Sequence, residues 1–81
     1  MLNLEVKTKL RPEEVIIRAL AFFGHSGYGL EIKEQSESCA YFEGGGGGVD
    51  ITTCTEEKGT SVELASREWD YQVNEFARKI R

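Results

Sequence analysis

Few residues in this chain combine the type and the spacing that catalysis needs. His25, the only histidine, stands in the segment Gly24-His25-Ser26-Gly27-Tyr28-Gly29, next to a hydroxyl and near a phenol. An imidazole titrates near neutrality and suits general-base work, but it requires a nucleophile or water and an acid to orient it. Ser26 is adjacent along the chain, where proton-transfer geometry is poor, and the segment contains no carboxylate. Cys39 and Cys54 are the two thiols. A reactive thiolate needs a positive neighbourhood, and theirs is acidic. Neither belongs to a Cys-x-x-Cys pair, and a single histidine cannot complete a structural zinc site with them. The sequence therefore implies no catalytic residue, no metal and no cofactor. Both thiols are expected to be free. Glu56-Glu57 falls at a turn and reads as a solvated pair.

Residues 44–48 are five consecutive glycines. Bare backbone can converge its N–H groups on an anion, which is how phosphate loops work. Such a loop passes from a strand into a helix and carries a lysine followed by Ser or Thr. This run lies between two strand-like segments, flanked by Glu43 and Val49-Asp50, without a basic residue. It reads as a hairpin tip, although a tip needs fewer glycines than five and each one adds an entropic cost. Close approach of another backbone, from a ligand or a protein partner, is the sharper alternative, so Gly45, Gly46 and Gly47 are candidate contact residues, as are His25, Ser26 and Tyr28 in the earlier loop. That loop has two superficial motif matches. A nucleophile elbow needs Gly-x-Ser-x-Gly after a strand, whereas Tyr28 replaces the last glycine and a helix comes before. Residues 23–30 resemble the Gly-x-x-Gly loop of KH domains, which clamps a nucleic-acid backbone. That resemblance covers eight residues; a strand-like Leu30-Glu31-Ile32 follows where KH domains start a second helix, and the loop holds no Lys or Arg.

The elements that must position these residues follow from periodicity. Residues 2–9 alternate, with Leu2, Leu4, Val6 and Thr8 on one face and Asn3, Glu5, Lys7 and Lys9 on the other, which describes a half-wet strand. Pro12 opens a helix that runs to about Phe23, with Gly24 as its left-handed stop. Ile17 and Phe22 widen its apolar stripe, so cover on more than one side is expected. Strands follow from Leu30, over 39–43, over 49–55 and over 60–65. Ser66 caps a second helix in which Trp69, Val73, Phe76, Ala77 and Ile80 form one stripe. Consistent burial sets the register. Pairing Phe42 with Ile51 centres the first hairpin on Gly46-Gly47 and puts Cys39 opposite Cys54. Pairing Thr53 with Val62 and Ile51 with Leu64 sets the second. Tyr41, Thr52, Cys39 and Cys54 then lie on the outer face, away from the helices, with the thiols adjacent.

Eighty-one residues allow a single α+β domain: a five-stranded antiparallel sheet with two helices on one face, in the order β-α-β-β-β-β-α. Trp69 anchors the core, and Leu20, Phe22, Phe23 and Phe76 fill it. This order resembles the half-repeat of the TATA-binding fold and a small helix-grip topology. The likeness is one of topology, and topology carries no function with it.

Charge narrows the partners. Residues 30–64 hold Glu31, Glu34, Glu37, Glu43, Asp50, Glu56, Glu57 and Glu63 against Lys33 and Lys58, while the flanks are net positive and the whole chain is −4. An acidic middle argues against nucleic acid, leaving a local basic patch from Lys7, Lys9, Arg11, Arg78, Lys79 and Arg81. No apolar run is long enough for a membrane span, and no signal-peptide core is evident, so the expected setting is cytoplasmic. The favoured function is a non-enzymatic interaction module. It would use the outer sheet face, the glycine hairpin or an edge strand for a protein partner or for self-association. The alternatives are a small-ligand binder with a pocket between helices and sheet near residues 24–29, a His/Cys enzyme, and an RNA binder.

Overall fold

A computed structural model describes residues 1–81. The chain forms β1 (Leu2–Thr8), α1 (Pro12–Phe23), β2 (Glu31–Gln35), β3 (Cys39–Gly44), β4 (Gly47–Glu56), β5 (Gly59–Arg67) and α2 (Asp70–Ile80). All five strands pair antiparallel in one sheet ordered β1-β5-β4-β3-β2. The α+β class and the element order are as the periodicity predicts. The first strand docks beside the last, leaving β1 and β2 as the two edges. β2 is short, charged and bulged between Ile32 and Glu34, all of which blunt an edge against pairing. β1 runs seven residues with no register shift.

Period two sorts the side chains. On the helix side, successive rungs read Leu2–Ser66–Val49–Phe42–Ile32, then Leu4–Leu64–Ile51–Ala40, then Val6–Val62–Thr53. Val15, Ala19 and Phe23 of α1 and Val73 and Phe76 of α2 close over them, and Phe42, Val49, Ile51 and Val62 are completely buried. Each such side chain contributes roughly 1.5–3 kcal/mol by leaving water. Phe23 meets Phe42 at 5.5 Å and Phe76 at 5.4 Å between ring centroids, so aromatic rings join both helices to the sheet.

Several local expectations need correction. Gly24 does not stop α1 in a left-handed conformation; its φ is −79°, and it is glycine because a Cβ there would lie 2.4 Å from the Leu20 carbonyl oxygen. The left-handed residue is Gly29, at φ 78°. Ile17 is 64% exposed, so α1 is covered on one side only. Ser66 does not cap α2. It is a rung of β5, paired with Leu2 and with Val49, and the ladder keeps it extended. The chain turns two residues later, where Glu68 takes φ 70°, and Trp69 becomes the N-cap residue. Ser66 instead donates its hydroxyl to Asp70 Oδ1 in the first turn of α2.

The second hairpin has the expected register, Thr53 with Val62 and Ile51 with Leu64. The first is displaced by two residues: Phe42 pairs with Val49, Ala40 with Ile51, and Cys39 with Thr52. Cys54 lies opposite Ser61 on β5, so the two thiols share a face but are not cross-strand partners. A two-residue shift leaves every side chain on its own face, and alternation is blind to it.

Candidate functional site

The glycine run is a built piece of structure. Gly44 pairs with Gly47, leaving Gly45 and Gly46 as a two-residue turn with φ 58° and 81°, both in the left-handed region that a type I′ turn demands. Trp69 rests on it. The indole Nε1–H donates to the Gly44 carbonyl at 2.9 Å, and a Cβ on Gly45 would come 3.2 Å from Trp69 Cζ2. A Cβ on Gly47 would fall 1.9 Å from the Arg67 carbonyl oxygen, so β4 passes the end of β5 at glycine distance. The backbone that approaches Gly47 is the chain's own β5, not the ligand or partner backbone that the length of the run suggested. Gly46 is the free apex, with open space around it.

Trp69 also reaches the loop after α1. Tyr28 meets its ring edge-on at 5.8 Å and meets Phe22 at 5.4 Å, and its hydroxyl donates to Glu75 Oε1 at 3.3 Å. Partial desolvation, followed by the Glu75 charge, raises the Tyr28 pKa above its ordinary value. The loop is wound on itself by backbone bonds from Tyr28 to Phe22, from Gly29 to Gly24 and from Leu30 to Phe23. Tyr28, Gly45, Gly46 and Gly47 therefore converge at one end of the molecule. His25 and Ser26 lie exposed on the loop; Ser26 bonds only to the Ala21 carbonyl at 3.4 Å, and no acid or thiol is hydrogen-bonded to His25. Beneath the loop the Phe22, Phe23 and Phe76 rings stand 4.9–5.5 Å apart; Phe23 and Phe76 are buried, whereas Phe22, like Leu20, is only partly buried at the edge of the core rather than filling it.

Tyr41 is on the opposite, unroofed face. Four rungs cross that face: Arg67–Gly48–Glu43–Glu31, Asn3–Ala65–Asp50–Tyr41–Glu34, Glu5–Glu63–Thr52–Cys39 and Lys7–Ser61–Cys54. Tyr41 donates to Glu43 Oε2 at 2.9 Å; that bond, then desolvation, raises its pKa. Cys39 is half-buried and Cys54 exposed, both as free thiols. Lys33 reaches Glu31 at 3.3 Å and Glu43 at 3.9 Å, and Lys7 reaches Glu56 at 2.9 Å and Glu5 at 3.6 Å. A hydroxyl hydrogen bond from Ser61, then the Lys7 charge, holds the Glu5 pKa below the usual carboxylate value.

Between these pairs lies an open depression of about 550 Å³, bordered by Asn3, Glu5, Asp50, Thr52, Glu63 and Ala65. Asp50 and Glu63 have no ion-pair partner, and Glu63 is the direct cross-strand neighbour of Glu5. No group of three or more His, Cys, Asp or Glu is arranged to hold a metal. Sequence reasoning missed this depression. The alternation already put Glu5 and Glu63 on the wet side, but their adjacency depends on β1 docking against β5, a contact between the two ends of the chain.

No family model, curated protein or solved structure matches the chain.

Proposed function

We propose that the protein is a non-enzymatic interaction module whose working surface is the unroofed sheet face and whose partner is a cationic polypeptide segment. The observation that carries this reading is the direct opposition of Glu5 and Glu63 beside the unpaired Asp50, all three bordering one depression. Like charges directly opposite on a sheet destabilise it, and a neutral residue at position 63 would relieve the cost. A Lys or Arg side chain from a partner would turn that repulsion into attraction, in a hollow sized for one or two side chains. Tyr41 at the next rung offers an aromatic edge of the kind that anchors interfaces. The absence of a proton-transfer constellation at His25 or either cysteine favours binding over catalysis. Two free thiols fit a reducing, cytoplasmic setting. No helix is long and apolar enough to cross a membrane.

The test is titration of the isotopically labelled protein with a short Arg/Lys-rich peptide at low salt. Amide shifts should concentrate on the Glu5, Asp50 and Glu63 rungs, weaken as salt rises, and shrink in Glu63→Gln but not in Glu57→Gln at the β4–β5 turn. Shifts centred elsewhere, or equal losses in both variants, would remove the reading.

A further inference from the structure

At the end of the sheet away from the glycine turn, an open cleft of about 530 Å³ lies between the end of β1, the β1–α1 connection, the β4–β5 turn and the end of α2. The side chains that line it reverse the chain's charge: Lys7, Lys9, Lys58 and Arg81 are among them, and no Asp or Glu is. Lys7 is engaged by Glu56 and Glu5. Lys9, Lys58 and Arg81 have no carboxylate at ion-pair distance, although acidic residues outnumber basic ones 14 to 10. Arg81 has an ordinary reason for its place, since cations suit the carbonyl end of a helix. Lys9 and Lys58 sit on a connection and a turn, where that reason does not apply.

The floor between the cations is apolar and fixed. Ile80 is 4% exposed, and Leu10 is half-buried beside it. The Leu10 N–H donates to Thr8 Oγ1 at 3.2 Å and its carbonyl accepts from Thr60 Oγ1 at 2.7 Å, while the Thr8 hydroxyl donates to the Ile80 carbonyl. The connection that carries Lys9 is therefore pinned to β5 and α2, so a ligand would meet a surface already in place.

We propose that this cleft binds a small organic phosphate, its dianionic head among Lys9, Lys58 and Arg81 and its apolar body over Leu10 and Ile80. Point-charge lysines carried by separate elements around one cleft suit a compact tetrahedral dianion, whereas a planar carboxylate is best met by a bidentate Arg fork. The volume lies within the range of small-ligand sites. This site shares neither Asp50 nor Glu63 with the acidic face, so each proposal can fail alone.

Calorimetry at low salt with phenyl phosphate, inorganic phosphate and benzoate tests it. Phenyl phosphate should bind saturably and more tightly than either of the others. Lys9→Ala and Lys58→Ala should each weaken it about 5-fold, the loss of one partly solvated charge contact. Arg78→Ala, an exposed cation outside the cleft, should leave it unchanged, as should Glu63→Gln. Three results would overturn the proposal: no saturable binding of phenyl phosphate, benzoate or inorganic phosphate binding as tightly, or a loss in Arg78→Ala equal to that in the lysine variants.

Discussion

Alanine at Gly45, Gly46 and Gly47 should produce three different losses, because each glycine is required for a different reason. Gly46 has φ 81° with open space around it, so Gly46→Ala incurs only the left-handed backbone cost of about 1–2 kcal/mol. The stiffer unfolded chain recovers about 0.4–1 kcal/mol of that. A net loss of about 1 kcal/mol corresponds to a fall in Tm of roughly 4–8 °C for a domain of this size. Gly45→Ala has the same backbone cost at φ 58° and also pushes a methyl to 3.2 Å from Trp69 Cζ2. The ring must shift and strain its bond to Gly44, so about 2 kcal/mol is expected. Gly47→Ala meets the Arg67 carbonyl oxygen at 1.9 Å, which only separation of β4 from the end of β5 can relieve. A loss of about 3 kcal/mol or more follows. Chemical denaturation followed by fluorescence of the single tryptophan gives all three values, and the emission itself should move in Gly45→Ala and stay put in Gly46→Ala. Equal losses at the three positions would refute the reasoning and return the run to the status of a flexible tip.

Four further outcomes are expected. Trp69→Phe keeps a ring over the turn but leaves the Gly44 carbonyl without its donor, so thermal denaturation should show a loss of about 1 kcal/mol. Glu63→Gln should raise Tm by about 1–3 °C at low ionic strength, and the gain should vanish in high salt. Mild oxidation should form no Cys39–Cys54 bridge within the folded chain: diagonal neighbours stand about 7–8 Å apart, beyond disulfide reach, and mass spectrometry of the oxidised monomer checks it. Tyrosinate absorbance should show Tyr28 and Tyr41 ionising above 10, identified by their Phe variants. Because both folded pKa values are raised, their contribution to stability is complete below pH 10 and is lost as pH rises through the folded values.

Alternation in the strands and the α2 stripe made the element order and the buried face legible, because both depend on the local period of apolar residues. The β4–β5 register was legible too, since Ile51, Thr53, Val62 and Leu64 match in only one way across a short turn. The β3–β4 register was not. Within five identical glycines every turn position is locally equivalent, and shifting by two residues buries the same side chains. The choice falls to Trp69 and Arg67, which come from 20 or more positions away and select Gly45-Gly46 as the turn. The same distance effect concealed the start of α2: Ser66 followed by acidic residues looks like a helix cap, but two neighbouring strands hold it in the ladder.

Strain in this chain is compensated wherever a contact explains it. The left-handed φ of Glu68 brings Trp69 over the glycine turn, and the glycines accept the close passage of Arg67. The lowered pKa of Glu5 has Ser61 and Lys7 as its causes. Glu63, by contrast, faces Glu5 across the strand pair with no cation of its own, and nothing within the molecule benefits from its charge. Where sequence and fold agree at nearly every level, a residue that breaks a local rule without internal gain points outward to a binding surface. On the proposed function, a neutral side chain at position 63 would therefore give a more stable protein that binds a cationic segment less well. That opposition separates a functional carboxylate from an incidental one, for which stability and binding would both be indifferent to the change.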